Sequence, residues 1–97
     1  MAADASLIKK TATEIHGLLK SEAVSPLDLL DALEARVAEV DDKVNALPTL
    51  CFERARDSAK AVMEKPVAER GLLAGMPVAI KDLSPVAGVR STWGSPI

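Results

Sequence analysis

The chain has 97 residues, a formal net charge of −2 and a hydrophobic content of 48%. This apolar content excludes a wholly disordered chain, and the near balance of charges excludes a basic face for nucleic acid. Phe52 and Trp93 are the sole aromatic residues, so base stacking on aromatic side chains is nearly excluded as well. A chain of this length is one small domain or a part of a larger one, with an aliphatic core.

The sequence contains no recognisable targeting signal and no metal-binding motif. The single cysteine, Cys51, leaves no internal disulfide, and we expect it to be a small buried side chain rather than a nucleophile. His16 has no partner at ligand spacing for a metal site, so we expect no metal and no cofactor. No signal peptide and no membrane-spanning stretch is indicated. We therefore expect a cytoplasmic protein without a membrane partner.

The first predicted elements are a lead-in and a short helix. Residues 1–10 carry no clear start signal and are expected to be a loose lead-in. Thr11 and Glu14 have the spacing of a capping box, in which each side chain binds the other residue's backbone N–H. Helical spacing of apolar residues follows and predicts a helix to about Ser21, at Ile15, Leu18 and Leu19.

The second predicted helix has the clearest start. Ser25 is a good N-cap, Pro26 suits the first helical position, and Asp28 favours the positive end of the helix dipole. One apolar face follows, formed by Leu29, Leu30, Leu33, Val37 and Val40. The acidic pair at 41–42 is expected to end this helix, and residues 45–48 are expected to connect it to the next.

A third helix is predicted to begin near Thr49 or Leu50. Apolar residues again recur at three- and four-residue steps, at Phe52, Ala55, Ala59, Val62 and Met63. Pro66 stops the pattern because proline cannot continue a helix. Residues 11–66 are therefore predicted to be helical.

Residues 71–97 have a different pattern, with recurrent glycine and proline. The short apolar run 78–80 predicts a buried strand, and residues 91–97 predict a loop. Lys81 follows the strand directly. An ammonium group there is costly to bury unless it is paired or loses its proton, and an uncharged amine can activate a serine hydroxyl. On local pattern alone, a solvent-exposed Lys81 paired with Asp82 is the alternative.

Several segments together resemble the amidase-signature family. Residues 74–83 are similar to its G-x-P-x-x-x-K-D segment, and residues 86–95 are similar to the "v-x-G-v-x-T-T-x-G-S" continuation. Upstream, residues 22–29 resemble an early helix of that family and residues 44–47 resemble its "l-N-A" connector. The resemblance runs from Thr11 to the end of the chain in the family's order and spacing.

The resemblance implies an α/β fold, in which the helices and a first core strand belong to a mixed sheet flanked by helices. Residues 1–97 would be the truncated N-terminal fragment of that domain. The family acts on C–N bonds of carboxamides other than peptides, with a nucleophilic serine, a second serine in a cis peptide and a lysine. Lys81 falls on that lysine. The lysine and the second serine relay the proton, and backbone N–H groups stabilise the oxyanion.

Neither catalytic serine of the family is matched in this chain. Ser84, Ser91 and Ser95 are expected to be turn residues instead. We therefore expect the chain alone to be inactive, because members of a catalytic triad act as a unit. We also expect it to be stable only with the remainder of an amidase chain or by self-association, since its strand edge and helix faces would lack cover.

Two further hypotheses remain open. A non-catalytic helical interaction module would bind a partner through its apolar helix faces, although it leaves the 75–82 segment unexplained. A glutaminase subunit of a tRNA-dependent amidotransferase would instead release ammonia for a tRNA-linked reaction. A small-molecule amide is the expected substrate in either enzymatic case.

Overall fold

The computed structural model describes residues 4–95. The described chain contains three α-helices, which we label in chain order α1 (Ala12–Lys20), α2 (Pro26–Val44) and α3 (Phe52–Met63). Short 3₁₀ helices precede α1 and follow α3, at Ala5–Lys9 and Val67–Glu69. Between residues 4 and 95 there is no β-strand.

Local capping decides where the first two α-helices begin. At α1, Thr11 Oγ1 accepts from the Glu14 N–H at 3.2 Å, and Glu14 Oε1 accepts from the Thr11 N–H at 3.2 Å. At α2, Ser25 Oγ accepts from the Asp28 N–H at 3.1 Å, and Asp28 Oδ2 accepts from the Ser25 N–H at 2.9 Å. Both predicted helix starts are confirmed, because these bonds satisfy N–H groups that have no partner within the helix.

The end of α2 lies beyond the acidic pair that was expected to stop it. The helix continues to Val44, and Asn45 follows in the left-handed conformation with φ 54°. The Asp41 carboxylate accepts from the N–H groups of Ala46 at 2.8 Å and Leu47 at 3.4 Å. Asp41 therefore fixes the connector after the helix rather than ending the helix itself.

The core lies between α1, α2 and the 3₁₀ helix that precedes them. Its buried members come from all three elements, namely Leu7, Ile15, Leu19, Leu29 and Ala32. The expectation of a loose lead-in is therefore wrong for residues 4–10, because burial of Leu7 stabilises this segment. Its first turn is held by Asp4 Oδ1, which accepts from the Ser6 N–H at 2.9 Å. Residues 1–3 lie outside the described part of the chain.

Helix α3 contacts α2 through a charged side chain, Arg56. Arg56 Nη1 donates to Asp31 at 2.8 Å and Nη2 donates to Glu34 at 2.9 Å. These two hydrogen bonds, that to Asp31 first, raise the pKa of Arg56 above its ordinary value. Ala59 is the buried residue of this helix.

After α3 the chain returns to the start of α2. Gly75 has a φ of 86°, and a Cβ built on it would lie 2.7 Å from Cγ of Pro26 and 3.6 Å from Cδ2 of Leu19. Met76 then packs against the core. Glycine is required at 75 for both reasons, the positive φ and the close approach. This contact places residues 77–95 beside the helices.

The predicted strand at 78–80 is absent from this structure. These residues have no regular secondary structure, and Val78 and Ile80 are 77% and 55% exposed. The physical reason is that a strand is stable only when a second strand pairs with its backbone, and residues 4–95 provide none. The loop prediction for 91–97 holds as far as residue 95, and residues 96 and 97 lie outside the described part.

The contact at Gly75 gives a test of this packing. Gly75→Ala should destabilise the fold by about 1–3 kcal/mol, because alanine adds a strained φ and a clash with Pro26. Gly71→Ala is the matched control, since a Cβ there meets nothing within 4 Å. Denaturant unfolding followed by far-ultraviolet circular dichroism measures both variants. Equal midpoints for the two would contradict the proposed role of Gly75.

Candidate functional site at Lys81 and the loop after it

Lys81 lies on the surface, immediately after the extension that Gly75 and Met76 anchor. Its side chain is exposed, and its backbone carbonyl accepts from the Ser84 N–H at 2.9 Å, which closes a tight turn. No hydrogen bond or ion pair to the Lys81 ammonium occurs within residues 4–95. The main chain of Lys81 is thus fixed while its amine is free.

The Asp82 carboxylate is occupied by residues further along the chain. It accepts from the Thr92 N–H at 2.9 Å through Oδ1, from the Thr92 hydroxyl, and from the Gly94 N–H at 3.2 Å through Oδ2. Trp93 and Gly94 have φ values of 53° and 73°. Successive N–H groups in such a turn form a concave site for an anion. Asp82 therefore binds this turn and makes no ion pair with Lys81, the pairing considered from sequence.

These hydrogen bonds set the charge state of Asp82. The Thr92 hydroxyl and then its N–H lower the pKa of Asp82 below the ordinary value of 3.8, and the N–H groups of Gly94 and Trp93 add to the effect. A carboxylate that accepts several hydrogen bonds is stabilised in its ionised form. The side chain is therefore negatively charged throughout the neutral range.

The three serines of this region lie in turns. The Ser91 hydroxyl donates to the Asp82 carbonyl at 3.2 Å. The N–H groups of Ser84 and Ser95 donate to the carbonyls of Lys81 and Thr92, at 2.9 and 3.0 Å. The structure thus places these serines as the sequence analysis expected, and Ser91 in particular stabilises the loop that Asp82 closes.

A second contact holds the middle of residues 82–94, which we call the 82–94 loop. Arg54 Nη1, on α3, donates to the carbonyl of Ala87. Gly88 follows with φ 78°, and a Cβ there would lie 3.2 Å from Arg54 Nη1. Arg54 has no distinguishing signal in the sequence, where it is an ordinary charged position on a helix. The loop is thereby fixed to α3 as well as to itself.

The other candidates do not join this site. Cys51 is exposed at the N-cap of α3 and makes no capping hydrogen bond with its side chain, so the expectation that it is buried is wrong. His16 is half-buried beside an open groove that residues 67–74 border. No group of three His, Cys, Asp or Glu side chains is placed to hold a metal in the described chain.

None of the helices formed by residues 4–95 has the length and apolar character needed to cross a membrane.

Several large apolar side chains near Lys81 in the sequence are exposed. Most of the strongly exposed apolar residues of the chain lie in its C-terminal part, namely Leu72, Leu73, Val78, Ile80, Leu83 and Trp93. Exposed apolar side chains in this number on a small protein usually mark a surface that another surface covers. Lys81 therefore lies in the part of the chain that exposes the most apolar side chains.

The Asp82 contact predicts a specific response to acid. Because its pKa in the folded protein lies below 3.8, the contact stabilises the loop fully above that value and is lost as pH falls through the lower, folded value. Amide signals of Thr92 and Gly94 should therefore titrate with a midpoint below 3.8 in an NMR experiment. In Thr92→Val the midpoint should rise toward the ordinary value, because the largest stabilising contact is removed. Amide signals that ignore the protonation of Asp82 would contradict this geometry.

Comparison with known proteins identifies the family of this chain. The family profile described as amidase matches residues 28–97, which include α3, Lys81, the 82–94 loop and most of α2. No solved structure matches the chain.

Curated relatives match almost the whole chain. The glutamyl-tRNA(Gln) amidotransferase A-subunit of Shouchella clausii is 44% identical over 92 residues, which cover 95% of this chain and 19% of the relative. The proteins of the same name from Desulforamulus reducens and Halothermothrix orenii are 40% identical over 93 and 87 residues. These matches cover 94% and 90% of this chain, and 19% and 17% of the two relatives. The chain thus spans about a fifth of the length of these relatives.

Proposed function

The chain belongs to the amidase family, and on that premise we propose that it is the N-terminal segment of an enzyme acting on a carboxamide C–N bond, with Lys81 as its catalytic lysine. The observation that carries the proposal is the family match across residues 28–97, a range that includes Lys81, the residue that resembles the family's lysine. The free amine supports this role, since a base must be available to accept a proton.

The proposed reaction uses Lys81 as one of three groups. The uncharged amine accepts the proton of the nucleophilic serine through the second serine, and then returns the proton to the leaving amine. Both serines would come from the part of the enzyme beyond this chain. The chain alone would therefore be inactive, because a lysine without its serines has no nucleophile to activate.

The exposed apolar side chains near Lys81 support the proposal that this chain is one segment of a larger enzyme. In the complete enzyme we place residues 78–80 as a strand of the mixed sheet, where neighbouring strands pair with its backbone. That pairing would cover Val78 and Ile80 and remove the costly exposure of their side chains. The Lys81 amine would then enter a site with a lower dielectric, in which an uncharged amine is favoured.

The names of the relatives favour one kind of amidase. Their shared name is that of the A-subunit of a glutamyl-tRNA(Gln) amidotransferase. We therefore propose, as the more specific candidate, a glutaminase subunit that releases ammonia for a tRNA-linked reaction. The non-catalytic helical module gains no support, since it does not account for the family match.

Replacement of Lys81 tests the catalytic role. Lys81→Ala in the complete enzyme should lower kcat by roughly 10³-fold or more without loss of folding, because triad members act as a unit. Lys60→Ala is the matched control, an exposed lysine of α3 outside the site. Ammonia release from glutamine and from simple amides measures turnover. A Lys81→Ala enzyme with normal kcat would contradict the assignment.

The exposed apolar side chains predict the behaviour of the chain by itself. The isolated 97-residue chain should self-associate, or should lose ordered tertiary structure when diluted, because these side chains lack cover. Light scattering gives the mass in solution, and an NMR spectrum of a dilute sample reports order. A well-dispersed spectrum from a dilute monomer would refute this expectation.

A further inference from the structure

Asp82 is the most heavily hydrogen-bonded side chain near Lys81, and the proposed chemistry assigns it no role. We propose that Asp82 is a positioning residue, which holds Thr92 and Gly94 around its carboxylate so that the chain beside Lys81 is fixed and the lysine amine stays unpaired. This inference rests on the proposed function of Lys81.

The first support is the closure of the 82–94 loop at its neck. Three donors converge on the one carboxylate, from residues ten and twelve positions away. The Gly94 N–H also donates to the Thr92 hydroxyl oxygen at 3.3 Å, so the donors are themselves linked. Charge-assisted hydrogen bonds of this kind are stronger than neutral ones. The carboxylate therefore organises the turn that surrounds it.

The second support is the conformation that the turn adopts. Trp93 is a bulky residue in the left-handed region, with φ 53°, a conformation that such residues rarely adopt without a compensating contact. Its side chain is 68% exposed, so packing of the indole does not supply that contact. The anion of Asp82 does, because it binds the N–H groups on both sides of Trp93.

The third support is the link from the loop to the main chain of Lys81. Asp82 lies inside the turn that the Lys81 carbonyl and the Ser84 N–H close. The Ser91 hydroxyl donates to the Asp82 carbonyl at 3.2 Å and adds a second tie on the same residue. Loss of the carboxylate would release Thr92 and Gly94 from the residue next to the lysine and leave only these main-chain ties. Small displacements of a reacting group reduce turnover strongly.

The fourth support concerns charge. Lys81 and Asp82 carry opposite charges on adjacent residues, and a free carboxylate would attract the ammonium. In the structure the carboxylate is already occupied, and the ion pairs found between residues 4 and 95 do not include Lys81. The loop thus separates two charges that sequence alone would pair.

The test uses four variants of the complete enzyme, formed where needed by joining this chain to the remainder of the Shouchella clausii protein. Asp82→Asn keeps the shape but replaces one acceptor oxygen by a donor. Thr92→Val removes the hydroxyl, and Thr92→Ser retains it. Asp57→Asn is the control, because Asp57 is exposed on α3 and its carboxylate has no hydrogen-bond partner in the described chain.

We expect Asp82→Asn and Thr92→Val to lower kcat for ammonia release by about 10–100-fold, with KM changed by less than about twofold. Thr92→Ser should retain most of the turnover, and Asp57→Asn should match the parent enzyme.

Two results would overturn the inference. Normal kcat in Thr92→Val would show that the loop contact is irrelevant to turnover, and this result remains available if Asp82→Asn fails to fold. Equal losses of kcat in Thr92→Ser and Thr92→Val would likewise show that the Thr92 hydroxyl contact with Asp82 does not set turnover. Lys81→Ala distinguishes failure of this inference from failure of the proposed function. An active Lys81→Ala enzyme would contradict the catalytic role of Lys81. An inactive Lys81→Ala enzyme together with normal turnover in Asp82→Asn would contradict only the role of Asp82.

Discussion

The close approach of Gly75 to Pro26 is the contact on which the arrangement of the C-terminal part depends. Residues 71–95 contain no helix or strand of their own, so nothing within this segment fixes its position. Gly75 accepts a positive φ and allows the chain to pass within contact of Pro26 and Leu19. Met76 then joins the core. The glycine and the methionine of the motif are thus packing residues, which deliver Lys81 to one edge of the helices.

Beyond that anchor, single polar side chains replace regular secondary structure. Asp82 closes the neck of the 82–94 loop and Arg54 holds its middle. A loop without a core of its own can be fixed in this way, because each charged side chain binds backbone groups that would otherwise need water. The lysine amine stays unpaired among residues 4–95, although the chain on either side of it is held.

The helical part and the C-terminal part of the chain differ in how they treat their apolar side chains. The chain spans about 19% of its Shouchella clausii relative, and its exposed apolar residues concentrate near the lysine. The helical part buries its apolar side chains against each other. The C-terminal part exposes its apolar side chains. The first is satisfied by contacts among the helices, and the second leaves apolar surface exposed to solvent.

The sequence by itself determined the elements whose stabilising contacts are local. The capping residues of α1 and α2 bind groups three residues away, so their spacing was sufficient to predict both helix starts. The motif around Lys81 was sufficient to indicate the family, since it is a matter of residue order. The strand at 78–80 was not decided by sequence, because a strand requires a partner backbone that a local pattern does not contain. Only the tertiary structure decided three other features, because each joins residues that no periodicity relates. They are the burial of Leu7, the hydrogen bond from Arg54 to the Ala87 carbonyl and the hydrogen bonds from Thr92 to Asp82.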